Sequence, residues 1–155
     1  MAVLGLRSSS QEIRFAILEK DENNSIVFIN KETENRLKYP ATIKSIDDKL
    51  YWVKSEIDRI LRINSAIDKI LVKMNEYSGY ESATKRETTY IDAIFLLCAR
   101  EHNISIERKL NSQIASSSAK AKEFAEQRVG KTDKYWNNAM ADAIVAAYWG
   151  VVNEI

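Results

Sequence analysis

Residues 135–149, YWNNAMADAIVAAYW, are apolar on almost every side when wound as a helix. At ~100° per residue, Trp136, Met140, Ala143, Ile144, Ala147 and Val151 make one stripe. Ala141, Val145, Tyr148 and Val152 make a second stripe beside it, leaving a narrow polar line of Asn138, Asp142 and Asn153. A helix apolar all round belongs in an interior, and a carboxylate carried inside needs a partner or a metal. Asp142 is therefore the first residue to explain. A place on a solvent-facing strip of the helix is the simplest alternative.

The rest of the chain supplies the sheet and helices that such a helix packs against. Residues 2–6 are short and apolar and stop at Arg7-Ser8-Ser9-Ser10, the pattern of a buried strand followed by a turn. Ile13, Phe15 and Ile17 alternate in a second strand over 12–19, and 25–30 reads as a third, joined by a hairpin-like Glu22-Asn23-Asn24 link. Residues 31–43 are polar, hold the only proline, Pro40, and read as loop. Ser45 and Asp48 signal a helix start, and Ile46, Leu50, Val53, Ile57, Ile60 and Leu61 recur at helical spacing behind them. A strand is expected over 68–74. A helix capped by Thr84 and Glu87 runs to about His102, where Asn103 ends it. A fifth strand follows over 104–110. Ser116, Ser117 and Ser118 then open a basic helix with Ala121, Phe124 and Ala125 inward, ended by Gly130.

The order β-β-β-α-β-α-β-α-α predicts one α/β domain over 1–155: a mixed five-stranded sheet with helices on both faces. The 155 residues suit a single domain, and 4 glycines and 1 proline leave little room for irregular chain. A net charge of +1 supplies no global field toward nucleic acid or membrane, although a local basic patch remains open. The single cysteine, Cys98, lies in an apolar helical run and reads as core packing, which points to a cytoplasmic location. No signal peptide and no membrane span is expected. P-loop, zinc, Ser/His/Asp and dinucleotide patterns do not occur.

This order, with particular residues, resembles the RuvC branch of the RNase H-like superfamily. RuvC resolvases open with a strand ending Gly-Ile-Asp-Pro-Gly; here the strand ends Gly5-Leu6-Arg7-Ser8-Ser9. Their fourth strand ends in a glutamate; here it is Ile70-Leu71-Val72-Lys73-Met74-Asn75-Glu76, with Ser82-Ala83 opening the next segment. They close with a helix written Asp-Ala-Ala-Asp-Ala-Leu; here the stretch is Ala139-Met140-Ala141-Asp142-Ala143-Ile144. Ser118-Ala119-Lys120-Ala121-Lys122 is loosely similar to the family's Ala-x-Lys segment. The resemblance extends to a small bacterial RuvC-like family of similar length.

In active RuvC members, carboxylates at the strand ends hold two Mg²⁺ or Mn²⁺ ions that clamp a phosphodiester. Carried over position by position, the first-strand aspartate becomes Arg7 and the first helix aspartate becomes Ala139, with Asn138 a turn before Asp142. The fourth-strand glutamate falls on Met74, Asn75 or Glu76. Asp142 alone matches cleanly. The leading expectation is a degenerate site of Arg7, Asn138 and Asp142, with an Arg7–Asp142 ion pair that Glu76 joins, and no bound metal. Such a protein would be a nucleic-acid-associated or protein-interaction module, a pseudonuclease. The alternative is an active Mg²⁺- or Mn²⁺-dependent endonuclease on structured DNA or RNA–DNA hybrids, with Asp142 and Glu76 as catalytic metal ligands. The family likeness also implies a homodimer.

Lys85 and Arg86, at the start of a helix, are placed to meet a phosphate backbone. Tyr77 and Tyr80, beside Gly79, have the chemistry to stack on a base or to cover the core. Lys120 and Lys122 either contact phosphates or form a solvated helix face interrupted by Glu123 and Glu126. His102, at a helix end, reads as a surface or capping histidine.

Overall fold

A computed structural model describes residues 1–76, 79–114 and 117–153. The elements are β1 (Ala2–Ser8), β2 (Glu12–Lys20), β3 (Ile26–Phe28), β4 (Arg36–Lys38), α1 (Ile46–Ile63), β5 (Ile67–Lys73), α2 (Ala83–Glu101), β6 (Ser105–Lys109), α3 (Asn111–Ile114), α4 (Ser118–Arg128) and α5 (Asn138–Val152). The sheet runs β3-β2-β1-β5-β6, with β4 also paired to β2. β1, β3 and β4 each pair antiparallel with β2, whereas β5 is parallel to β1 and β6 parallel to β5. Short turns permit the first arrangement, and helical crossovers produce the second.

The sheet has six strands among the described residues, not five. The extra one is β4, inside the stretch read as loop. Its three residues contain one apolar side chain, Leu37, which is buried. Periodicity is invisible over so short a run; β4 forms because the first half of β2 offers an unpaired edge. β3 covers the other half. Buried Asn30 fills the gap between them: its Oδ1 accepts from the Ile17 amide (2.7 Å), and its Nδ2 donates to the Phe15 and Glu34 carbonyls. α3 is a second unforeseen element. The helix start predicted at Thr84 and Glu87 lies two residues earlier, where Ser82 Oγ accepts from the Lys85 amide (3.2 Å). Asn103, at φ 56°, and Gly130, at φ 135°, end α2 and α4 in left-handed turns, as expected. Ser116 lies outside the described residues.

Alternation in the strands divides the interior in two. Leu4, Leu6, Phe15, Ile17, Ile70 and Val72 face α1 and α2, with Ile57, Ile91 and Phe95. Val3, Ala16, Leu18 and Leu71 face α4 and α5, with Ala125, Met140, Ile144 and Val151. Helices on both faces explain why β1 is apolar throughout. Cys98 is fully buried in the first layer, and burial pushes its thiol up to about 12.

α5 lies against β1 because two glycines admit it. A Cβ on Gly5 would fall 2.0 Å from the Ala143 carbonyl oxygen, and one on Gly150 would fall 2.5 Å from Leu71 Cδ2. Gly5 thus meets the middle of α5 while Val3 meets its end, so the first turns of α5 reach the last residues of β1. No helix among the described residues is long and apolar enough to cross a membrane.

Candidate functional site

The parity that buries Val3 and Gly5 against α5 also points Arg7 at that helix, and points Ser8 at α2. Arg7 Nε donates to Asp142 Oδ2 at 3.0 Å, with the Asp142 side chain 5% exposed and that of Arg7 20% exposed. Asp142 is therefore not on a solvent strip; the contact expected between these residues is present. Arg7 Nη1 also donates to Asn75 Oδ1 in a short hydrogen bond. Asn75 Nδ2 donates to Ser8 Oγ (3.1 Å), and Ser8 Oγ donates to Asp92 Oδ1 (2.6 Å). A continuous polar chain, Asp142–Arg7–Asn75–Ser8–Asp92, thus crosses the strand ends from α5 to α2.

Lys73 completes the cluster. It ends β5, is 1% exposed, donates to the Met74 carbonyl (2.5 Å) and lies 3.7 Å from Glu76. Burial and the neighbouring Arg7 hold its ammonium below the ordinary lysine value, against the pull of Asp142 and Glu76. Burial likewise raises Asp142, against the opposing pull of Arg7 and Lys73. Burial pushes Asp92 up to about 6, although Ser8, Arg7, Arg108 and Lys73 all favour its charged form.

Asp92 makes the stability of the domain depend on pH. Its carboxyl holds a proton up to pH about 6 when folded, against ~3.9 when unfolded. The folded chain therefore binds the extra proton between those values. The resulting stabilisation is complete below pH ~4 and is lost as pH rises through about 6. It amounts to about 2–3 kcal/mol. Asp92→Asn keeps an acceptor for Ser8 and should remove this component. The variant is expected to be the more stable of the two at pH 7.5, by urea denaturation, with the advantage vanishing near pH 4. An equal pH slope in both proteins would refute the assignment.

The other sequence-predicted residues fall in several places. Glu76 is exposed at the rim, where it faces Lys73 and accepts from the Asn111 amide (3.3 Å). Asn138 is exposed on the first turn of α5; the amide that holds Arg7 is that of Asn75 instead. Lys85 and Arg86 begin α2 about two turns before Asp92, with Lys85 Nζ on the Tyr80 carbonyl (2.5 Å) and Arg86 paired to Glu81 (2.6 Å). They line a 440 Å³ surface cavity with Tyr80, which is 95% exposed. Tyr77 lies outside the described residues. Lys120 is exposed and Lys122 half exposed on α4. His102 contacts Asp58 at 2.9 Å and caps α2, in line with a capping role.

Asp92 and Lys73 were not anticipated, and Asn75 was one of three positions considered for the fourth-strand glutamate. A signal existed for Asp92: it shares a helix face with Thr88, Phe95 and Ala99, all buried. Lys73 follows Ile70-Leu71-Val72 in a strand covered on both sides, where any cation needs explanation.

A mixed sheet of this order, covered by helices on both faces, with polar side chains gathered at the ends of β1 and β5, has the RNase H-like fold. In particular it matches the Holliday junction resolvases. Over 95% of this chain and 90% of the other, it superposes on T. thermophilus RuvC in complex with a Holliday junction, at TM-score 0.75 and 11% identity. A second Thermus thermophilus RuvC structure gives 0.72 at 13% identity, over 95% and 91% of the two chains. The fowlpox virus Holliday junction resolvase gives 0.58 at 14% identity, covering 99% of this chain and 100% of that one. No protein-family model matches the sequence, and no curated protein matches it.

Proposed function

We propose that this protein is a RuvC-like nucleic-acid-binding domain whose strand-end cluster holds phosphodiesters without cutting them. The observation that carries the reading is the 3.0 Å contact of Arg7 with Asp142, with buried Lys73 beside it. Two fixed cations sit among the carboxylates. A pair of divalent ions would have to enter against both, and hard cations need several carboxylates to offset their charge. Among the described residues, no group of three or more His, Cys, Asp or Glu is arranged to hold a metal. The residues present therefore do not fit the two-metal arrangement, and neither Asp142 nor Glu76 takes part in a hydrolytic step. Arg7 presents a planar set of donors suited to phosphate oxygens, and its side chain keeps 20% exposure.

On this reading the chain works in the cytoplasm as a homodimer. Tyr90 and Leu97, exposed along α2, supply apolar surface for a second copy or for another protein. A synthetic four-way DNA junction should bind in the presence of Mg²⁺ and remain whole. Affinity should fall as salt rises, with a log–log slope of about −0.9 per phosphate neutralised. Cleavage of the junction, abolished by Asp142→Asn, would establish the endonuclease reading in its place. No binding of any nucleic acid would leave the protein-interaction reading.

A further inference from the structure

A second cluster of cations lies one strand across from Arg7. Arg14 pairs with Arg7 across β1 and β2, and Arg36 pairs with Arg14 across β2 and β4. These three cations occupy successive strands, so Arg36 is roughly 10 Å from Arg7, two strand spacings away. Arg14 is 1% exposed, and its Nε has no hydrogen-bond partner among the described residues. Its Nη2 donates to the Tyr135 carbonyl at 2.7 Å.

That contact fixes an unusual backbone. Tyr135 has φ 58°, a left-handed conformation that a bulky residue seldom adopts. Its ring is turned outward under the Arg36 guanidinium, 4.1 Å from the ring centroid, and the residue remains 62% exposed. The buried Arg14 charge and a left-handed backbone thus meet at a residue whose aromatic ring faces solvent. Arg36, Lys38 and Tyr135 form walls of two surface cavities, of about 260 and 550 Å³. The smaller also contains Arg14, with Glu12 as its carboxylate. Glu12 lies 2.7 Å from Arg36 and 3.5 Å from Arg14, the place an incoming anion would take.

We propose that this surface is a binding site for an unpaired nucleotide, its base stacked on Tyr135 and its phosphate held by Arg36 and Lys38 in the recess above Arg14. The proposal rests on the nucleic-acid reading above and extends it to single strands. A free strand leaving the Arg7 cluster passes over buried Arg14 and reaches Arg36 and Lys38. Aromatic stacking next to a basic groove binds any sequence, because each base has a π face. The guanidinium on Tyr135 orders the ring in advance and so reduces what binding must immobilise.

The test uses a short fluorescently labelled oligothymidylate and the whole protein. Tyr135→Gly removes the ring at a φ that glycine adopts freely, so its melting temperature should equal or exceed that of the wild type. Its affinity should fall roughly tenfold, the range of one lost base stack. Lys38→Ala should weaken binding and flatten its salt dependence, and Glu12→Gln should tighten it. Trp136, which lines the smaller cavity, should report binding by a fluorescence change. Unaltered affinity in both Tyr135→Gly and Lys38→Ala would overturn the proposal. A wild type that binds the four-way junction but not the oligothymidylate would overturn it too, leaving the broader function standing. A protein that binds neither would overturn both.

Discussion

Asp142→Ala should destabilise the domain by about 3–5 kcal/mol, the cost of stranding a buried charge without its partner. Arg7 holds this carboxylate at 3.0 Å, and the buried ammonium of Lys73, 1% exposed, is favoured by its charge. At the chain's size such a loss corresponds to a fall in Tm of roughly 10 °C. Asp142→Asn should cost less, because an amide oxygen still accepts from Arg7 Nε. The double variant Arg7→Met/Asp142→Leu should recover much of the loss, since a well-packed apolar pair often replaces a buried ion pair at little cost. Thermal melts of the four proteins would check this. An Asp142→Ala protein within about 1 kcal/mol of the wild type would mean that the pair behaves as an exposed one and does not organise the site.

The second large effect is at Gly5. Gly5→Ala places a methyl 2.0 Å from the Ala143 carbonyl oxygen and 2.9 Å from Ala147 Cβ. The first obstacle is backbone within α5, so relief requires moving the helix that carries Asp142. The loss should be about 3 kcal/mol or more, at the upper end of overpacking costs. Gly150→Ala is the control. Its contacts, Leu71 Cδ2 at 2.5 Å and Val3 Cγ1 at 2.8 Å, are side-chain ends that can yield, and about 1–2 kcal/mol is expected. Equal losses at the two glycines in urea denaturation would show that α5 shifts freely over β1. The chain of cause would then be broken, because close approach at Gly5 is what brings Asp142 within reach of Arg7.

Most of the architecture was legible because buried surfaces repeat. The alternation of Ile13, Phe15 and Ile17 marked β2, and the helical spacing from Ile46 to Leu61 marked α1. β4 was illegible because three residues carry no period, and its pairing depends on an edge of β2 that no local pattern announces. The site was legible in a different way. Asp142 stood out physically, as a carboxylate on an apolar helix. Arg7 stood out only through its resemblance to the opening strand of RuvC, since an arginine at a strand end is otherwise ordinary. Asn75 lay among three candidate positions for a missing glutamate, and only the meeting of β1 and β5 assigned the contact to it. Asn138 was chosen for sharing a helix face with Asp142, yet it sits at the first position of α5 and is exposed, whereas Met140 and Ala141 of the same turn are buried. Arg14 could not be distinguished from a solvent-facing strand residue until the Tyr135 carbonyl was seen against it.

Whether fixed cations or metal ions occupy the strand-end cluster can be read from a Mn²⁺ titration followed by thermal melting, comparing the wild type with Arg7→Asp. A ligand that binds only the native state raises Tm as its occupancy grows. With Arg7 and Lys73 in place, the wild-type Tm should not move with Mn²⁺. Arg7→Asp, which sets a second carboxylate opposite Asp142, should be stabilised as Mn²⁺ rises. A wild type stabilised by Mn²⁺, with the shift abolished in Asp142→Asn, would contradict the cation-filled site and make Asp142 a metal ligand.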